Sequence, residues 1–272
     1  MTMRRSDIAD FILERLQNEK SSLEHCFNTS KDSIGYFFID DVLPEDIATK
    51  IFKAFPEPNS MEIKKSLREH KYIAAQMNKY DPILKKVIFA FQDHRIVKLI
   101  GNICEINTLY PDDNLYAGGI SLMRNEQFLN PHLDNSHDKD RAKWRVLNLL
   151  YSISPNWEIE FRGNLGIWPE GIKNKQTTIH SKFNRLAVIS THGASWHSVS
   201  PITHDASRCC ISNYYFSDSP LKKNSKFHVT SFRGRPEQKI RDTILKADNL
   251  LRMTIRKVFP KGLIKTNHIY KS

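Results

Sequence analysis

The chain has 272 residues, 40% hydrophobic and 26% charged, an ordinary balance for a globular protein with room for one large core. No run of about 18 apolar residues occurs, which argues against a membrane-spanning helix, and the first residues, Met1 to Asp7, lack the apolar core and cleavage pattern of a signal peptide. The net charge of +11 is localised: residues 221–272 carry 14 Lys and Arg against 3 Asp and Glu, and the remainder of the chain is balanced.

In chain order, apolar residues at Ile8, Phe11, Ile12, Leu16 and Leu23 after Ser6-Asp7 predict a helix to about Phe27. Gly35 to Asp40 reads as a strand. A helix follows from Pro44, with Ile47, Ile51, Phe52 and Phe55 as its buried stripe. Asp81-Pro82 opens another helical stretch that Gly101 closes. From Tyr116 the pattern becomes strand-like, with runs at 119–123, 146–153, 185–191, 208–216 and 227–232. Pro236-Glu237 starts a last helix. Its stripe of Ile240, Ile244, Ala247, Leu251, Ile255 and Val258 is expected to pack on the barrel, or else to meet a membrane surface or a partner. Its other face carries Lys239, Arg241, Lys246, Arg252, Arg256 and Lys257.

Helices followed by strands predict an α+β fold in one domain. Residues 1–115 would form helical support and first strands, 116–232 the core, and 233–272 a basic helix and tail. Cys26, Cys104, Cys209 and Cys210 show neither zinc-ribbon nor disulfide-framework spacing, which fits a reducing cytoplasm.

His132-Leu133-Asp134 carries the chemistry. Alternate strand residues share a face, so the imidazole and the carboxylate can reach one metal ion. His197 is the preferred third ligand, because strand 185–191 and a short turn would return it to the first two. His137, His192 and His204 are the alternatives, and Trp196 could wall the site. Two His and a carboxylate with open positions describe a non-haem Fe(II) oxygenase site. Arg208, eleven positions after His197 and set among apolar residues, would need an anionic partner.

These residues together resemble the 2-oxoglutarate- and Fe(II)-dependent dioxygenases, particularly the prolyl 4-hydroxylase-like branch, over about residues 118–216. The resemblance implies a double-stranded β-helix, a cupin-like jelly-roll barrel with supporting N-terminal helices. It implies that His132, Asp134 and His197 bind Fe(II) and act in catalysis, and that Arg208 anchors 2-oxoglutarate. Asn148 and Tyr151 are further cosubstrate candidates. The resemblance further implies O₂ as the oxidant, with ascorbate as an optional auxiliary reductant, and hydroxylation of an unactivated C–H bond with formation of succinate and CO₂. The substrate could be a small molecule, a sugar or lipid intermediate, or a prolyl-type side chain.

This chain departs from its relatives at three places. Met123 replaces a tyrosine, while Glu126 and Arg162 stand where relatives carry glycine. Asp134 favours hydroxylation over halogenation, and Tyr214 replaces the second arginine of nucleic-acid demethylases. Loop 135–143 reads as a surface loop or as a lid over a polar substrate. The competing functions are a catalytically silent jelly-roll binding protein and a basic-tailed module contacting nucleic acid or a membrane. Contact with an anionic surface through the C-terminal region is a possible partner interaction.

Overall fold

A computed structural model describes residues 3–259 and 269–271; part of the expected basic tail, residues 260–268 and 272, lies outside the described residues. The N-terminal half runs α1 (Arg5–Asn18), α2 (Lys20–Ser30), β1 (Tyr36–Ile39), α3 (Glu45–Lys53), β2 (Glu62–Lys65), β3 (Glu69–Ala74), α4 (Pro82–Ala90) and α5 (His94–Ile103). It continues through β4 (Tyr110–Pro111), β5 (Gly119–Met123), β6 (Phe128–Leu133), β7 (Trp144–Ser152), β8 (Leu165–Ile167) and β9 (Thr177–Ile179). The last elements are β10 (Arg185–Ser190), β11 (His197–Val199), β12 (Arg208–Ser217), β13 (Ser231–Phe232) and α6 (Lys239–Val258).

Two of the expected helices are each a pair. The first breaks at Glu19, which leaves helical geometry at φ −105° and ψ 8°. The second breaks before Asp93, whose side chain caps α5 by accepting from the Arg95 N–H. Strands β2, β3, β4, β9 and β11 lay outside the expected set, being short or interrupted by Pro and charged residues that mask alternation.

The sheet is antiparallel throughout, in the order β1-β10-β7-β12-β5-β3-β6-β11-β8-β9. It curls so that one face meets the helices and the other lines an interior. On β7, Leu147, Leu149 and Tyr151 join the main core with α1, α4 and α5. Leu150 points inward, against Leu165, Ile167 and Ile189.

Two bulges reset this alternation where it matters. On β6 the pairing steps from His132 to Leu129 while β11 steps only from His197 to Val199. The extra residue falls at Asn130-Pro131, a place where a missing N–H is tolerated. On β7 the pairing with β12 steps from Leu147 to Arg145 against Tyr215 to Phe216. Arg145 thereby shares the interior face with Asn148.

The last helix docks in a way its pattern does not predict. Leu245 is its only buried residue. Its polar side faces the barrel: Asp242 pairs with Arg233, and Asn249 bonds both the N–H and the C=O of Phe232. The apolar stripe expected on the barrel faces solvent instead, with Ile240 81%, Leu251 61% and Val258 66% exposed. The barrel edge offers main-chain groups, and only polar side chains can satisfy those.

Candidate metal and cosubstrate site

His132 and His197 are direct cross-strand partners on β6 and β11, and Asp134 follows one residue beyond the end of β6. Their ligand atoms all lie within 4.8 Å of one another, and all three residues are buried. Asp134 is 3.7 Å from His132 Nε2 through one oxygen and 3.6 Å from His197 Nε2 through the other. The same hydrogen bond fixes each imidazole: Nδ1 lies 3.0 Å from the carbonyl two residues earlier, that of Asn130 for His132 and Ser195 for His197. With Nδ1–H donating, each Nε2 presents a lone pair to the common centre. The Asn130-Pro131 bulge is what aims the first of these carbonyls.

Protonation favours metal binding. Burial, together with neighbouring His197, pushes His132 down to about 3. Burial would raise Asp134, but His197, Arg145 and His132 outweigh it and hold the carboxyl below its ordinary value. A neutral imidazole, as at His132, and an ionised carboxylate are the forms that ligate a divalent ion, so the chemistry of this donor set suits Fe(II).

The triad opens into a cavity of about 600 Å³. Arg208 enters it from the start of β12, 3% exposed, with its Nε donating to Ser181 Oγ at 3.1 Å. Met123, where relatives carry a tyrosine, pairs with Arg208 across β5 and β12. Gly163 holds a left-handed φ of 64°, and a Cβ there would come within 2.9 Å of Arg208 Cδ. Asn148 also lines the cavity, and its amide lies 3.4 Å from Asp134 Oδ2.

Tyr151 is a correction. It sits on the opposite face of β7, in the core against Phe91, with its hydroxyl donating to Asn184 at 2.6 Å. An odd spacing from Asn148 on a regular stretch of strand makes the two faces exclusive. Trp196 is half-buried beside Arg233 and does not line the cavity. Among the alternative histidines, His137 packs on Trp144, His192 accepts from the Ala194 N–H, and His204 stacks on Phe161.

Sequence reasoning missed Arg145. It is 4% exposed, lies 3.6 Å from Asp134, and stacks 4.3 Å over the ring of Tyr214. A buried arginine opening an apolar strand was the available signal, but the bulge that turns it inward leaves no trace in the residue pattern.

A jelly-roll barrel with a buried His-Asp-His cluster and an arginine-walled cavity defines a class of metal-dependent oxygenases. Residues 118–216 match the family model of the 2OG-Fe(II) oxygenase superfamily. A search of curated proteins returns no significant match. A prolyl-4-hydroxylase from Pseudomonas putida superposes with a TM-score of 0.55 at 13% identity, over 72% of this chain and 100% of its own. Prolyl 4-hydroxylase from Phytophthora capsici gives 0.55 at 17% identity, over 89% of this chain and 75% of its own. A Trichoplax adhaerens prolyl hydroxylase, solved with a hypoxia-inducible-factor peptide, gives 0.52 at 17% identity, over 74% and 91%. The fold is the double-stranded β-helix. Over that central segment the chain is similar to the 2OG-Fe(II) oxygenase superfamily.

Proposed function

We propose that the protein is a stand-alone hydroxylase in which His132, Asp134 and His197 hold Fe(II) and Arg208 anchors the distal carboxylate of 2-oxoglutarate. The convergence of three ligand-type side chains on one point of an arginine-walled cavity carries this reading. When bound, iron and cosubstrate supply the oxidation: 2-oxoglutarate, O₂ and a C–H bond become succinate, CO₂ and a C–OH.

The protein's own part is positional. The Asn130 and Ser195 carbonyls accept from Nδ1–H and so fix the tautomer and ring orientation that aim each Nε2 at the common centre. Arg145 holds Asp134 ionised, and Asn148 steadies the same carboxylate. Arg208, fixed by Ser181, offers a permanently charged fork at a set distance from the ligands. Leu129, Leu165 and Val199 line the same cavity and limit water around the reacting carbon.

The test is anaerobic titration with Fe(II) and 2-oxoglutarate, monitored through the visible metal-to-ligand charge-transfer band. A band in the parent that His197→Ala removes and His137→Ala leaves is the expected result; the converse pattern would refute the ligand set. A silent binding protein would form no succinate with iron, O₂ and 2-oxoglutarate under any substrate.

We place the whole chain in one domain, in a reducing cytoplasm, on the strength of four free cysteines, three of them buried. No helix of the described residues is long and apolar enough to cross a membrane. A peripheral contact is favoured by α6, whose exposed Ile240, Ile244 and Leu251 lie beside Lys239 and Lys246. That composition suits the surface of an anionic bilayer. Sedimentation with phosphatidylglycerol-containing vesicles, lost with Leu251→Asp and absent with neutral vesicles, is the expected behaviour.

A further inference from the structure

Strands β2 and β3 form a hairpin closed by the Ser66 N–H donating to the Glu69 carbonyl at 2.9 Å, with Leu67-Arg68 as its two-residue turn. Such turns ordinarily take Gly, Asn or Asp. Here the tip presents a leucine, 46% exposed. The tip is firmly held. Asn130, at the bulge that aims His132, donates its side-chain amide to the Leu67 carbonyl at 2.9 Å and its N–H to the Arg68 carbonyl at 3.0 Å. Arg68 Nε donates to Asp248 of α6 at 3.0 Å, so the hairpin tip and the last helix stand side by side.

Both elements wall the metal cavity, the hairpin through Lys64, Arg68 and Lys71 and the helix through Arg252. Both also hold apolar side chains in solvent: Leu67 at the hairpin tip, and Ile244, Leu250, Leu251 and Phe259 on or just past the helix. The two acids of α6, Asp242 and Asp248, are turned to Arg233 and Arg68. Its solvent side therefore sets exposed Lys239 and Lys257 beside the apolar stripe with no acid among them. A second copy of the chain would bring lysine against lysine across this face, whereas anionic head groups neutralise it. A helix with its side chains is about 10 Å across. A bilayer against the outer side of α6 thus comes within about that distance of Arg252 and the cavity mouth.

The charge of the cavity suits the same ligand. Its lining holds six basic side chains against two acids, Glu69 and Asp134. At the mouth Arg68 and Arg252 share one carboxylate, that of Asp248. A positive excess at a cleft draws in negative groups. We propose that the substrate is an anionic lipid met at a bilayer surface. Leu67 and the α6 stripe dock on the bilayer, the head group enters the metal cavity past Arg68 and Arg252, and the hydrocarbon chains stay behind. The bond broken is a head-group C–H, with the stoichiometry given above. The inference rests on the dioxygenase reading for that chemistry, and on the geometry alone for the docking and the head-group site.

The test uses the metal-free full-length chain. Sedimentation with phosphatidylcholine vesicles is expected only when phosphatidylglycerol is included. It should weaken roughly 10-fold with Leu67→Asp as well as with Leu251→Asp, and stay unchanged with Phe11→Asp, an exposed apolar position on α1. Calorimetric titration with dihexanoyl-phosphatidylglycerol, kept below its micellar concentration, reads the head-group site by itself. Saturable binding is expected, weakened roughly 10-fold by Arg252→Gln and by Lys64→Gln and unchanged by Leu251→Asp. Should Arg252→Gln loosen the helix, Lys64→Gln on β2 carries this arm alone. The inference is overturned if Leu67→Asp sediments like the parent, if the short-chain lipid does not bind saturably, or if its binding survives both cavity substitutions. The charge-transfer titration is run on the same preparations. An intact band without lipid binding counts against the lipid substrate alone, and lipid binding without a band against the dioxygenase reading alone.

Discussion

His132 and His197 sit on strands joined by main-chain hydrogen bonds, whereas α6, near the mouth of the same cavity, is held mostly by side chains. On the strand side, each ligand is oriented by a backbone carbonyl two residues away, and mutation cannot easily remove a carbonyl. On the helix side, Arg68–Asp248 and Arg233–Asp242 pairs and the Asn249 amide carry the docking. Partly exposed ion pairs are individually weak and screened by salt. The geometry of the candidate ligands therefore rests on the rigid wall, and the helix is the wall able to yield.

Arg208 tests the rigid wall hardest. Arg208→Ala should raise the 2-oxoglutarate requirement roughly 100-fold, or about 3 kcal/mol, while Fe(II) still binds; equilibrium titration of both ligands separates the two. An equal loss of iron affinity would mean that the arginine organises the triad instead.

Acid should next find the buried histidine beside β11. Burial, reinforced by Lys222, pushes His192 down to about 4. A histidine with a folded pKa below its unfolded value of about 6.5 takes up its proton more readily when unfolded. Its stabilising contribution is thus complete above about pH 6.5 and falls as pH drops toward 4. Denaturant titrations at pH 7 and pH 4.5 should show His192→Gln losing about 2 kcal/mol less than the parent.

Two departures from the family pattern should be repairable. Glu126 and Arg162, where relatives have glycine, keep left-handed φ values of 64° and 59°. Arg162, with ψ −145°, lies near a region that only glycine occupies freely. Arg162→Gly is expected to stabilise by about 1 kcal/mol, after the entropy glycine adds to the unfolded chain. Glu126→Gly should change stability by less, and thermal melts of the two would rank them.

The smallest global effect belongs to the soft wall. Asp248→Asn should cost under about 1 kcal/mol overall, yet hydrogen exchange along α6 should quicken several-fold, more so at high salt. Uniform exchange in parent and variant would show that α6 is anchored by something other than these pairs.

Much of the candidate site was legible because metal chemistry restricts residue types. His132, Asp134 and His197 could be picked out because few other side chains ligate iron, and strand periodicity puts the first two on one face. The same periodicity, followed without knowledge of the bulges, left Arg145 unnoticed. Tyr151 was misplaced because aromatic residues serve a hydrophobic core as readily as a cosubstrate pocket. For α6 the amphipathic pattern named the helix correctly and its orientation wrongly.

By itself, then, the amino-acid order determined the succession of helices and strands, the ligand-type side chains and the uneven charge, since each depends on local periodicity or on the chemistry of single residues. Tertiary structure alone decided which carbonyls aim the imidazoles, which arginines turn inward and which face of α6 meets the barrel. Those outcomes depend on pairing between distant segments, where one extra residue in a strand reverses every side chain beyond it and an unsatisfied strand edge can outbid an apolar stripe.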